Sequence, residues 1–259
     1  MNILDKIIEN KKLEVAHRKE QKSLLTLSQS DFFKRTPISL VERLLDDRSS
    51  GIIAEFKRKS PSKGIINDNV NPLDVTMGYE LAGAAAISIL TDEVFFSGND
   101  ADVISVRSSI NIPILRKEFI IDPYQIHEAK SIGADLILLI AACLTHSEVF
   151  SFAVLAKSLG LEVLLELHDE EELDHICDAV DFVGINNRSL KTFDVNIERS
   201  LKMAEKIPSG KLKIAESGID DPSLIKLFRE NGYRGFLIGE NFMKEQDPVL
   251  AISKFMKQI

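Results

Sequence analysis

Residues 113–140 read PILRKEFIIDPYQIHEAKSIGADLILLI, and this one stretch contains a complete strand–helix–strand unit. An apolar, β-rich run at PILRKEF gives way to Asp122-Pro123, a capping carboxylate followed by a proline whose fixed φ suits a first helical turn. Ile126, Ala129 and Ile132 then recur at helical spacing, Gly133 stands where such a helix stops, and a second apolar run, DLILLI, begins at residue 135. Two short strands joined by an amphipathic helix are the repeating unit of a parallel sheet.

The same unit recurs on both sides. Including the two above, eight β-rich runs begin near residue 51: GIIAEF, AAISIL, PILRKEF, DLILLI, EVLLEL, DFVGI, KLKIAE and GFLIG. Asp221-Pro222 and Asp247-Pro248 repeat the helix start, Gly160 and Gly232 repeat the stop, and Leu224, Ile225, Leu227 and Phe228 repeat the apolar stripe. Eight strands, each with a following helix, match a (β/α)8 TIM barrel. An open doubly wound sheet more often shows fewer strands and a glycine fingerprint after the first, which is lacking here. Residues 1–50 read as a helical extension, with Ile3, Leu4, Ile7 and Ile8 on one stripe and Leu40, Val41, Leu44 and Leu45 on another. So short a segment buries too little to fold alone, so the expected organisation is one barrel domain over residues 1–259 with residues 1–50 packed on it.

Composition narrows the functions. The chain has 32 basic and 40 acidic residues, a net charge of −8, which disfavours nucleic acid or an anionic membrane as partner. A local basic island at Lys57, Arg58, Lys59 and Lys63 is suited to focusing a small anion, or is a solvated loop. Cys143 and Cys177 share no metal or redox spacing and read as reduced structural residues. Asp5 and Lys6 interrupt any signal peptide, and no apolar run reaches membrane-span length, so a cytoplasmic protein is expected.

In such a barrel the reacting groups stand at strand C-termini, and this chain places charge there repeatedly. Glu55 and Lys57 close the first strand, Lys117 the third, Glu166 the fifth, Asn186 and Arg188 the sixth, and Glu216 the seventh. Ile53, Glu55 and Lys57 share parity, as do Leu115 and Lys117, Leu164 and Glu166, and Gly184, Asn186 and Arg188. If those faces point inward, cations and carboxylates converge at the barrel mouth in the outline of a proton-transfer site. Read singly, each is as well explained by an exposed loop or a structural ion pair. Ser217-Gly218 after the seventh strand and Gly239-Glu240 after the eighth stand where barrels expose backbone N–H groups to a phosphate, and Ser60 offers a hydroxyl from the first loop. Phe95 and Phe96 are candidates for an aromatic slot, ordinary packing being the alternative. Of five histidines only His168 lies near a strand end, so no metal site is expected.

These residues carry a resemblance to the indole-3-glycerol phosphate synthase family. It runs over nearly the whole chain and is sharpest in AEFKRKSPSKG (54–64), ILTDEVFFSG (89–98), PILRKEFIID (113–122), GADLILLI (133–140), GINNRSLKTFDV (184–195), AESGI (215–219) and FLIGENFM (236–243). The resemblance implies ring closure of 1-(2-carboxyphenylamino)-1-deoxyribulose 5-phosphate with loss of carbon dioxide and water, without a cofactor. It implies catalytic roles for Glu55, Lys57, Lys117, Glu166 and Asn186. Ser60, Phe96, Arg188, Glu216, Ser217, Gly218, Gly239 and Glu240 would bind substrate, Glu240 through its backbone N–H because its charge would repel phosphate. The expected partner is the small phosphorylated substrate, to a monomer that touches neighbouring tryptophan-pathway enzymes at most transiently. A sugar-phosphate isomerase on the same barrel would share the Ser-Gly and Gly-Glu loops but would not need Lys57, Lys117 and Arg188 together. A catalytically silent barrel would show a substitution among the acid and base positions.

Overall fold

In the computed structural model, which describes residues 2–189 and 193–259, each of the eight apolar runs forms a strand and all eight close into a parallel barrel. Residues 190–192 of the GINNRSLKTFDV stretch lie outside the described residues. The strands are β1 (Ile52–Phe56), β2 (Ala86–Leu90), β3 (Ile114–Lys117), β4 (Leu136–Ile140), β5 (Glu162–Leu167), β6 (Phe182–Asn186), β7 (Leu212–Glu216) and β8 (Tyr233–Ile238), with β1 paired to both β2 and β8. Ahead of them come α1 (Ile3–Gln21), α2 (Leu24–Ser28) and α3 (Leu40–Leu45). Around them lie α4 (Pro72–Leu81), α5 (Glu93–Phe96), α6 (Asp100–Arg107), α7 (Pro123–Ile132), α8 (His146–Ser158), α9 (Ile197–Ala204), α10 (Ser223–Glu230), α11 (Glu240–Met243) and α12 (Pro248–Met256).

The local signals act largely as expected. Asp122 accepts from the Tyr124 amide and Asp247 from the Leu250 amide, both at 2.9 Å, while Gly133, Gly160 and Gly232 all have positive φ where helices end. Asp221 also accepts from the Ser223 amide, but α10 begins only at Ser223 and leaves Pro222 outside it. Within α10, Ile225 and Phe228 are buried whereas Leu227 is exposed. The helix expected after β5 is instead a 3-10 turn, Glu170–His175. Three successive glutamates leave Leu173 as its one apolar anchor, too little for an amphipathic helix to dock with. The first loop folds a short antiparallel pair, Lys59–Ser60 against Gly64–Ile65.

Strand pleating separates two cores. Ile53, Leu115, Leu138, Leu164, Ile214 and Leu237 fill the barrel, while Ile52, Ile114, Ile137, Val163, Val183 and Phe236 pack outward among the helices. The N-terminal extension serves both ends of the barrel. Leu40 and Leu44 of α3 join the inner cluster, held at the strand-start end by the Glu162 carboxylate, which accepts from the Leu40 amide at 2.7 Å. Burying two such leucines is worth roughly 1.5–3 kcal/mol each. Leu45 departs from the expected stripe: a helix of six residues turns it to solvent, 60% exposed. At the opposite end α1 lies over the barrel mouth, and Lys11 forms ion pairs with Asp92 beyond β2 and Glu118 beyond β3.

Candidate active site

The mouth of the barrel opens into a cavity of about 520 Å³, and every residue expected to act in catalysis or to bind substrate lines it. Register explains why. Leu90 pairs with Lys117, Ile140 with Glu166, and Asn186 with Glu216, so the polar strand ends stand side by side as one layer above the apolar interior.

Lys117 is the centre of this layer. Its Nζ lies 2.7 Å from Glu166 Oε2 and 2.7 Å from Glu216 Oε2. Burial works against the ammonium, but the charges of Glu166 and Glu216 outweigh it and hold the lysine above its ordinary range. The two carboxyls divide in opposite directions. Burial would raise Glu166, yet Lys117 and His168 bring it below the usual range, and Asn186 Nδ2 donates to its other oxygen at 3.2 Å. Burial raises Glu216, and the ionised Glu166 beside it reinforces the shift beyond what Lys117 offsets. Gly184 makes room for this acid: a Cβ there would lie 2.2 Å from Glu216 Oε1.

A second lysine–carboxylate pair stands across the mouth. Lys57 Nζ is 2.7 Å from Glu55 Oε1, and Ser88 donates to Oε2 at 3.3 Å. Gly239 admits this pair, since a Cβ on it would come within 2.6 Å of Glu55 Oε1. Ser217 and Gly218 are both left-handed, with φ of 66° and 67°, and Asn187 Nδ2 donates to the Ser217 carbonyl at 2.7 Å to fix the turn. Ser60 is buried in the first loop, its Oγ 3.4 Å from Ser62 Oγ. Arg188 reaches Glu240 Oε2 at 3.2 Å. Phe96 and Phe119 bring their rings to 5.9 Å and form the apolar side of the cavity, which Phe95 does not line.

Part of the basic island does other work. Arg58 binds Asp102 with both terminal nitrogens and covers Phe56, and Lys59 donates to the Val94 carbonyl, so only Lys57 and Lys63 face charged groups of the site. His168 lies beside Glu166, its Nε2 3.2 Å from Oε1. Among the described residues no three His, Cys, Asp or Glu side chains group to hold a metal ion. Both cysteines are free, and burial pushes the Cys143 thiol up to about 12. No helix among the described residues is long and apolar enough to cross a membrane.

Some lining residues were not among those expected from the sequence. Phe119 shares the parity of Lys117 two residues on, a signal that was there to read. Ile3, Leu4 and Ile7 line the cavity from α1, but their helical stripe does not say which end of the barrel it covers.

Comparison with known proteins identifies the family. The family model described as indole-3-glycerol phosphate synthase matches residues 4–255. Proteins of that name from Bacteroides thetaiotaomicron and Polynucleobacter asymbioticus are 46% and 42% identical, over 100% and 98% of this chain and 99% and 98% of theirs. Among solved structures, 3-hexulose-6-phosphate synthase superposes with a TM-score of 0.63 at 12% identity, covering 81% of this chain and 99% of its own. A tryptophan synthase alpha-subunit variant from Pyrococcus furiosus gives 0.61 at 16%, covering 80% and 96%. At such identities these two speak for the barrel fold alone.

Proposed function

The chain belongs to the indole-3-glycerol phosphate synthase family, and from that premise we propose how its strand-end residues divide the work of closing the indole ring. The reaction is the family's step in tryptophan biosynthesis: 1-(2-carboxyphenylamino)-1-deoxyribulose 5-phosphate cyclises with loss of carbon dioxide and water. The observation that carries the assignment is Lys117 held between Glu166 and Glu216 inside the mouth.

In ring closure the aromatic carbon bearing the carboxylate attacks the ribulose ketone, driven by the lone pair of the substrate nitrogen. Lys117 protonates the oxygen as negative charge develops there, and Glu166 holds the ammonium in line. Carbon dioxide then leaves with its bonding electrons returned to the ring. Dehydration needs an acid for the departing hydroxyl and a base for the proton on the adjacent carbon, and the Glu55–Lys57 pair supplies both. Asn186 fixes the Glu166 carboxylate, and the protonated Glu216 adds a neutral donor beside Lys117. Arg188 suits the substrate carboxylate because its guanidinium binds two oxygens at once. Phe96 faces the aromatic ring. Ser60, Ser217, Gly218, Gly239 and the Glu240 amide surround the phosphate.

Contacts of α1 and α3 with opposite barrel ends support reading residues 1–259 as one domain. The acidic net charge supports an enzyme with no nucleic-acid partner, and its two free cysteines support a cytoplasmic one. We extend the reading to a monomer whose contacts with neighbouring pathway enzymes are transient.

Indole fluorescence on mixing the protein with substrate in chelator-containing buffer tests the chemistry. Signal is expected from the wild type and not from Lys117→Ala, which should still bind substrate, whereas Arg188→Ala should weaken binding as well. Equal losses of binding in both variants would overturn these roles.

A further inference from the structure

Several cations at the mouth of the barrel are met by carboxylates from within. Lys57 pairs with Glu55, Lys117 with Glu166 and Glu216, and Arg188 and Lys63 converge on one carboxylate, that of Glu240. Arg188 Nη2 donates to Oε2 at 3.2 Å and Lys63 Nζ lies 3.4 Å from Oε1. Glu240 follows Gly239 directly, so its carboxylate and the proposed phosphate cradle share one turn. The substrate brings its carboxylate to Arg188 and its phosphate to the turn that Lys63 reaches, and the Glu240 carboxylate repels both. The carboxylate is 34% exposed at its side chain, and water can receive it when it leaves.

We propose that Glu240 is an internal counter-anion of the empty site, a specificity-determining residue whose carboxylate occupies Arg188 and Lys63 until the substrate displaces it. This rests on the reading that phosphate is bound between Ser217-Gly218 and Gly239-Glu240. Displacement discriminates because the two kinds of anion bring different resources. The substrate is also anchored by its aromatic ring against Phe96 and by its carboxylate, and those contacts offset the broken ion pairs. A free phosphate ion has only its charge to set against them. Glu240 therefore costs small anions more affinity than it costs substrate, and it keeps the site from filling with phosphate.

The test uses inorganic phosphate as a competitive inhibitor of the wild type, Glu240→Gln and Glu240→Ser. Its inhibition constant should fall about fivefold in both variants, the effect of removing one partly screened charge, while the KM for substrate falls less. Phosphate that competes in the wild type with an inhibition constant neither variant lowers would overturn the counter-anion and leave the phosphate reading standing. Tightening in the glutamine variant alone would also overturn it, since the new amide and not the lost charge would then be responsible. Phosphate that competes in none of the three would remove the phosphate reading and the counter-anion with it.

Discussion

Arg116, Lys117 and Glu118 are consecutive, yet they belong to two networks that differ in kind. Pleating turns Lys117 into the barrel and Arg116 out among the helices. In the outer network every buried polar atom of the Arg116 and Glu118 side chains has a hydrogen-bond partner. Arg116 spends its guanidinium on Asp100 at 2.8 Å, the Gln125 carbonyl at 2.9 Å, Glu128 and Thr91, while Glu118 receives Lys11, the Thr91 hydroxyl and the Phe119 amide. Inside, two buried carboxyls compete for Lys117, and Glu216 Oε1 has no hydrogen-bond partner among the described residues. A satisfied buried network fixes structure, whereas an unmet one holds a proton whose position substrate can change.

The widest separation comes from substituting neighbours on opposite sides. Lys117→Ala should lower turnover by about 10⁴-fold, as loss of a positioned acid that also stabilises charge, without loss of the fold. Arg116→Met should do the reverse. It leaves Asp100 and Glu128 with Arg18 as their one remaining cation among the described residues, and breaking a buried pair costs up to roughly 3–5 kcal/mol, while turnover per folded molecule stays within about threefold. Denaturant unfolding and steady-state kinetics on both variants check this, and the contrast breaks if Arg116→Met is as inactive as Lys117→Ala while still folded.

The sequence revealed these two networks unequally. Strand count, helix caps and the inward parity of Glu55, Lys117, Glu166 and Asn186 follow from local periodicity, so the barrel and its mouth were legible. Arg116 was not, because a charged residue in an apolar strand looks the same whether its partners are water or helices folded against it later. Lys11 was hidden for the same reason: its partners Asp92 and Glu118 lie about 80 and 107 residues away, and no spacing rule spans that distance. The 3-10 turn after β5 was missed because eight units were expected to be alike.

A smaller effect should come from Lys11→Met, which sharpens the contrast by cutting the outer network at its N-terminal edge. Burial disfavours the ammonium, but Glu118, Asp92 and Glu14 more than reverse this and hold it charged. The cost is limited because α1 can detach locally, so roughly 1–3 kcal/mol is expected, appearing as faster amide exchange in α1 before global unfolding. Ile3, Leu4 and Ile7 would leave the cavity wall with it, and the KM should rise about threefold or more. Unchanged exchange in α1 would show that Lys11 does not hold the lid-like helix down.

The smallest effect carries the clearest sign. The folded pKa of Glu216 is raised, so over the interval between its ordinary value and the raised one the native state keeps a proton that the unfolded chain has released. That proton stabilises the fold at the acidic end, and the benefit is lost as pH rises through the folded pKa, where the ionised carboxylate must share Lys117 with Glu166. Glu216→Gln keeps the shape of the protonated acid and removes the titration. It should therefore be more stable than the wild type by about 1 kcal/mol on the alkaline side, and the gain should shrink toward acid pH, even as activity falls. Thermal unfolding of both proteins across pH measures it. A variant less stable at every pH would mean that ionised Glu216 is a satisfied partner of Lys117, and the inner network would then be no different in kind from the outer one.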